Sequence, residues 1–215
     1  MKIEAVPLGP FETNAYLVTS DDGKECCVVD APKGAGALLD EIKERGLRLT
    51  HLLITHGHWD HMCEAHRFAA AGAQVIGHHD DQQLIENIEA CKDRYQSMIP
   101  WLTDEDFRSV KVDRWVSEGD TVEAAGFCFE IRHVPGHCPG SILFHAADRK
   151  IAFTGDAIFA GSVGRTDLPN GNWNQLLDSI RRRIYTLPDD TVLLPGHGGE
   201  TTVGQEKKTN PYAKP

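Results

Sequence analysis

The densest run of side chains able to do chemistry is His56-Gly57-His58-Trp59-Asp60-His61, four potential metal ligands in six residues. Imidazole nitrogens and carboxylate oxygens suit zinc, manganese or iron. A hydrolytic centre needs such donors on a rigid scaffold with a coordination position left open. Histidines at alternating positions converge on one ion when the segment is a loop, and Asp60 and His61 can then face a neighbouring ion. The chain has 11 histidines, so an isolated pair means little, and a His-rich surface loop is the plain alternative. Three later segments speak against it: Pro135-Gly136-His137, Thr154-Gly155-Asp156 and Pro195-Gly196-His197. Each sets a glycine beside a potential ligand at the end of a predicted strand, where layered α/β proteins favour sites. One such residue alone is more often a cap or a turn. Three of them with the hexad point to a single metal site.

Strands must carry these segments. Residues 3–8, 15–19 and 26–30 read as strands separated by Gly9-Pro10 and Asp21-Asp22-Gly23. Residues 37–45 read as an amphipathic helix with Leu38, Leu39 and Ile42 on one face. Residues 51–55 form a buried strand that runs straight into the hexad; a helix over 64–71 and a strand over 74–77 follow. Residues 80–110 break the pattern and read as a helical excursion or lid. Residues 115–134 look like strands and a hairpin, 142–145 and 151–153 like further strands, 174–185 like a helix and 191–194 like a last strand. The tail after His197 is polar. No linker or repeat divides the chain, so one domain over 1–215 is expected, a mixed α/β fold whose sheets are covered by helices.

Composition narrows the partners. A net charge of -10 disfavours nucleic acid, which wants clustered Lys and Arg, but a small anionic substrate remains compatible. No apolar leader and no run of the ~18 apolar residues a membrane span requires is seen, so a cytoplasmic protein is expected. Cys26, Cys27, Cys63, Cys91, Cys128 and Cys138 include no C-x-x-C pair and read as reduced thiols.

In this order and at these separations, HGHWDH, PGH, TGD and PGH resemble the metallo-β-lactamase superfamily over nearly the whole chain. The resemblance implies an αββα sandwich with the site at one edge of its two sheets. It implies two divalent ions, zinc before iron or manganese. His56, His58 and His137 would hold one ion, Asp60, His61 and His197 the other, and Asp156 would bridge them. Exported β-lactamases of the B1 class place a cysteine where this chain has Asp156. Residues 164–169 and 205–211 instead resemble the hydroxyacylglutathione hydrolase (glyoxalase II) branch, in its short bacterial form without the C-terminal helical domain. That branch implies a small-molecule thioester substrate such as S-lactoylglutathione. Asp60 would orient the attacking water, and Arg165 would grip a substrate carboxylate. A local Arg165–Asp167 ion pair is the alternative for that arginine. Persulfide dioxygenases, with a single iron, share the branch; a lactonase or a non-catalytic binding protein would use the same scaffold. The physiological substrate, the native metal and the oligomeric state stay open at this stage.

Other residues carry weaker signals. His78-His79-Asp80 reads as a helix N-terminal turn capped by Asp80. Cys138 is expected to pack. Trp59 would line the mouth or shield the metals, and Tyr95, Trp101 and Phe107 would form an apolar wall or join the core.

Overall fold

The computed structural model describes residues 1–215. Its centre is a pair of six-stranded sheets. The first holds β1 (Lys2–Leu8), β2 (Thr13–Thr19), β3 (Glu25–Val29), β4 (Arg48–Leu53), β5 (Gln74–His78) and β6 (Arg114–Val116) in that order. The second is ordered β14 (Thr201–Thr202), β13 (Val192–Pro195), β10 (Ile151–Gly155), β9 (Ile142–Ala146), β8 (Phe127–His133) and β7 (Thr121–Ala124). A small ribbon of β11 (Ile158–Phe159) and β12 (Ser162–Val163) follows β10.

Strand alternation builds three layers of core. In β3, Cys27 and Val29 point between the sheets with Leu53, Ile76, Phe129, Phe144 and Phe153. Cys26 and Val28 point outward, joining Leu38 and Ile42 of α1 (Ala37–Glu44) and Phe68 of α3 (Ala65–Ala70). Both faces of the strand are covered, which is why ECCVV reads as a continuous apolar run rather than an alternating one. On the far side, Leu176 of α6 (Trp173–Ser179) and Ile180 and Ile184 of the π-helical turn that continues it pack on Leu143, Ala152 and Leu193. The architecture is the αββα sandwich of the metallo-β-lactamase fold.

The functional edge follows from topology. β8 and β10 are each antiparallel to β9, and β10 is parallel to β13, so β8, β10 and β13 end at the same rim. Strand β4 of the other sheet delivers its C-terminus there too. The sheets are tied at this rim by Asn14 N–H to Gly196 O at 2.7 Å and Ile142 N–H to Thr55 O at 2.9 Å.

Residues 115–134 hold the expected strands and hairpin: β7 and β8 pair antiparallel across Gly126, while β6 pairs with β5 in the first sheet and the turn at 117–120 carries the chain across to the second. The polar tail is ordered as β14 and α7 (Val203–Thr209). It lacks an apolar signature because it docks through Glu206, which is 1% exposed and accepts from Thr201 Oγ1 at 2.6 Å, Asn210 Nδ2 at 2.8 Å and Gly161 N–H at 3.0 Å.

Between β5 and β6 lie α4 (Gln82–Ile85), α5 (Lys92–Met98) and three short 3₁₀ turns. Ile85, Ile88, Tyr95, Ile99, Leu102 and Phe107 anchor this segment in the outer core of the first sheet. Phe107 is therefore core, whereas Trp101 is 59% exposed and belongs to no wall.

Candidate metal centre

Each suspected ligand sits just past a strand end: His56 after β4, His137 after β8, Asp156 after β10 and His197 after β13. The hexad is a loop only in part. His56 lies in the loop after β4, and His58, on extended backbone, is the N-cap of the single helical turn α2 (Trp59–Met62) that presents Asp60 and His61. A helix separates neighbouring side chains by about 100°, so two consecutive residues can serve different positions.

The seven side chains converge. His56 Nε2 lies 3.1 Å from both His58 Nδ1 and His137 Nε2. Asp156 stands between this trio and the other donors: Oδ2 is 3.6 Å from His137 Nε2 and 3.4 Å from His197 Nε2, and Oδ1 is 3.2 Å from His61 Nε2. Asp60 Oδ2 is 3.7 Å from His61 Nε2 and 3.5 Å from His197 Nε2.

The surrounding hydrogen bonds fix which nitrogen faces inward. His61 Nδ1 is 2.7 Å from Asp30 Oδ2, His137 Nδ1 is 2.7 Å from the Arg165 carbonyl, and His197 Nδ1 is 3.0 Å from the Phe11 carbonyl. These partners only accept, so each ring donates from Nδ1 and turns the Nε2 lone pair to the centre. Thr55 Oγ1 donates to Asp30 Oδ2 at 2.8 Å, leaving it to accept from His56 Nδ1 at 3.1 Å. Four rings thus share one tautomer, the arrangement that outer partners impose on metal-ligating histidines. Asp30 adopts a left-handed φ of 59° while holding Thr55 and His61, backbone strain kept by its surroundings.

This donor set fits divalent metal. With His56 and His137 both donating outward from Nδ1, their Nε2 lone pairs face each other at 3.1 Å, an arrangement a cation between them relieves. His61 Nε2 and Asp156 Oδ1 are buried without a hydrogen-bond partner. Glycine beside the ligands is required by space: a Cβ at Gly196 would fall 2.3 Å from Asp156 Oδ1 and 2.5 Å from His61 Cε1.

Protons must stand in when metal is absent. Burial drives His56 well below the ordinary imidazole range and His58 to about 3. Burial opposes charge at His61 and His197 too, but there the carboxylates prevail. Asp156, Asp30 and Asp60 hold His61 well above its ordinary value, and hydrogen bonds to Asp156 and Asp60 bring His197 to about 10. Both rings are then protonated at pH 7.5, and metal ligation needs them neutral. Zinc added to chelator-treated protein at pH 7.5 in weak buffer is expected to release on the order of two protons per chain. An indicator dye reads this directly, and the share of the release that comes from His197 should fall to about half as the pH reaches 10. Zinc uptake without release at pH 7.5 would mean that neither ring is charged.

Other sequence readings resolve here. Asp80 caps nothing; the His78 ring accepts from Asp80 N–H at 3.2 Å. His78 has a companion that its sequence neighbourhood did not reveal, His133, stacked at 4.1 Å with 15° between ring planes. Near-parallel rings cannot both aim in-plane lone pairs at one ion, and His133 Nε2 is already 2.8 Å from Pro139 O. Cys138 is buried and its thiol donates to Asp81 Oδ1 at 3.2 Å. Trp59 is also buried and bonded through Nε1 to Asp106 O at 2.7 Å, so it anchors the helical segment while bordering a small cavity beside His58. Arg165 pairs with Asp167 through two bonds of 2.7 Å, yet it borders the cavity over the site. That cavity holds about 300 Å³ and also meets Phe11, Arg94, Tyr95, Met98 and Leu168. Asp30, Thr55, Asp81 and Arg94 were missed by sequence reasoning. Only Asp30, an acid closing a strand, carried a signal like that of Asp156.

The chain belongs to the metallo-β-lactamase superfamily, whose family pattern matches residues 8–197. It is 39% identical over 215 residues to the hydroxyacylglutathione hydrolase GloC of Haemophilus influenzae, covering 99% of this chain and 98% of that one. It is 31% identical over 208 residues to the human mitochondrial persulfide dioxygenase ETHE1, covering 93% and 70% of the two chains. Among solved structures, the BLEG-1 B3 metallo-β-lactamase superposes with a TM-score of 0.87 at 32% identity over 100% of both chains.

Proposed function

We propose that this chain is a dinuclear metal-dependent hydrolase of thioesters such as S-lactoylglutathione. The observation that carries the reading is Asp156, whose two oxygens face both donor groups while Oδ1 has no partner in the protein. The full-length likeness to a hydroxyacylglutathione hydrolase supports the substrate class. His56, His58 and His137 would hold one ion, Asp60, His61 and His197 the second, with Asp156 shared and zinc ahead of iron or manganese. Metals bound there would polarise a carbonyl and supply an activated water near neutral pH.

The chain's own groups do the rest. Thr13 Oγ1 donates to Asp60 Oδ2 at 3.1 Å and fixes the carboxylate. Asp60 can then accept a hydrogen bond from the attacking water and hold it toward the substrate. A thiolate leaves readily near neutral pH, so no strong general acid is called for. Arg165 would meet a substrate carboxylate in the larger cavity by exchanging Asp167 for it. Both partners are exposed, 54% and 68%, so the pair is weak and exchangeable.

The test is a substrate panel on zinc- and iron-loaded protein: S-lactoylglutathione, a neutral thioester, a lactone, a β-lactam and glutathione persulfide. Thioester turnover with about two metals per chain is the expected result. Oxygen uptake with the persulfide and no thioester cleavage would replace the reading with the dioxygenase one.

A further inference from the structure

Apart from the candidate ligands, the cavity over the site is walled by Phe11, Met98 and Leu168, which carry no hydrogen-bond donor, by the exposed Arg94 and Arg165, and by Tyr95. Tyr95 is the buried donor among them, only 7% exposed. Its hydroxyl oxygen accepts from Trp59 N–H at 3.3 Å, which sets it beside the chain between two candidate ligands, His58 and Asp60. The hydroxyl's own proton has no acceptor in the protein. An oxygen that accepts one N–H directs its proton elsewhere, and the open space at this ring begins at His58. The ring is held in place. It packs 5.4 Å from the Trp59 ring, Trp59 Nε1 is tied to Asp106 O at 2.7 Å, and Ile99 N–H bonds Tyr95 O at 2.8 Å. Burial, and after it Asp60, pushes the hydroxyl well above the ordinary phenol range, so it stays a donor at neutral pH. A fixed, desolvated donor with nothing to bond is suited to negative charge that develops during a reaction.

We propose that Tyr95 is a catalytic residue whose hydroxyl donates a hydrogen bond to the carbonyl oxygen of the acyl substrate and strengthens that bond as the oxygen becomes an oxyanion. The inference rests on the hydrolase reading and adds a group that the ligand set does not supply. As the hydroxide oxygen bonds the carbonyl carbon, the C=O π pair moves onto oxygen, where the Tyr95 O–H meets it. The pair returns when the C–S bond breaks. Thiolate leaves, the new carboxylic acid loses its proton to solvent, and Tyr95 keeps its own proton throughout.

Tyr95→Phe removes the hydroxyl and keeps the ring against Trp59. With S-lactoylglutathione and with a neutral thioester, kcat is expected to fall about ten- to a hundredfold while KM stays nearly unchanged, because the bond strengthens only in the transition state. Phenylboronic acid takes up hydroxide to become a tetrahedral anion, and so stands in for the intermediate of any acyl substrate. Its affinity for zinc-loaded protein, read calorimetrically, should fall by a similar factor. Trp59 N–H loses its acceptor in the variant, so zinc content and melting are measured beside activity. Loss of zinc in step with activity would make Tyr95 a support of α2 and overturn the proposal. Unchanged kcat, a rise in KM alone, or equal boronate affinity in the two proteins would overturn it as well. A wild type that cleaves no thioester but binds the boronate through Tyr95 upholds the donor and moves the chemistry to another acyl compound. A wild type that neither cleaves a thioester nor binds the boronate overturns the donor together with the hydrolase reading.

Discussion

Asp156→Ala is expected to lose both metals and activity together. Asp156 faces both donor groups, through Oδ2 to His137 and His197 and through Oδ1 to His61. Its carboxyl is held well below the ordinary range: burial opposes the charge, but His61, His197 and His137 more than offset that. Removing it would strip the proposed shared ligand and leave His61 without the acid that faces its Nε2. Losing several kcal/mol of metal-supplied stabilisation corresponds to roughly a thousandfold or more in kcat. Metal analysis after loading and desalting should fall from about two ions to less than one. His79→Ala, on an exposed ring outside the centre, should match wild type in both readings. A variant lacking Asp156 that retained two ions would show that the groups bind independently and would remove the bridging role.

The contrast between what was legible and what was not follows from how each residue gains its meaning. The hexad and the PGH and TGD segments place donors and glycines next to one another in sequence, so local spacing exposes them. Gly196 shows the reason: any side chain there would enter the donor cluster. The covered strands were also legible, because β3 and the end of β4 at Leu52 and Leu53 are apolar on both faces. Asp30, Asp81 and Arg94 have no such neighbours. Asp30 acquires its role only when β3 and β4 pair in parallel and bring Thr55 beside it. Arg94 reaches the cavity only once α5 has packed against the first sheet. The C-terminal helix α7 was hidden for a different reason, since a buried glutamate with hydrogen bonds replaces the apolar stripe by which helices are read.

Asp81→Ala is expected to damage the centre from a distance. Asp81 is 1% exposed and accepts from Gly57 N–H at 2.8 Å, inside the hexad, and from Gly140 N–H at 2.6 Å, just past His137. The Cys138 thiol donates to the same carboxylate. One side chain therefore clamps the loop of His56 and His58 to the loop of His137, which come from opposite sheets. A Cβ on Gly140 would lie 2.5 Å from the Asp81 carboxyl carbon, so the approach tolerates only glycine. Truncation leaves two buried N–H groups without a partner, each costing about 1–3 kcal/mol. For a chain of this size the midpoint of thermal unfolding should drop by roughly 5–20 °C. Loss of support outside a ligand set typically weakens metal binding about ten- to a hundredfold. The weakening should concentrate in the ion held by His56, His58 and His137, because only those loops lose their tie. Asp81→Asn keeps the shape and one acceptor, so it should recover part of both losses. The measurements are a competitive chelator titration resolving the two ions, and calorimetric melting of the metal-free chains. A lower melting point with both metal affinities intact would reduce Asp81 to support of the fold alone. Weaker binding of the Asp60–His61–His197 ion, with the other unchanged, would show that the coupling between loops runs by a different path.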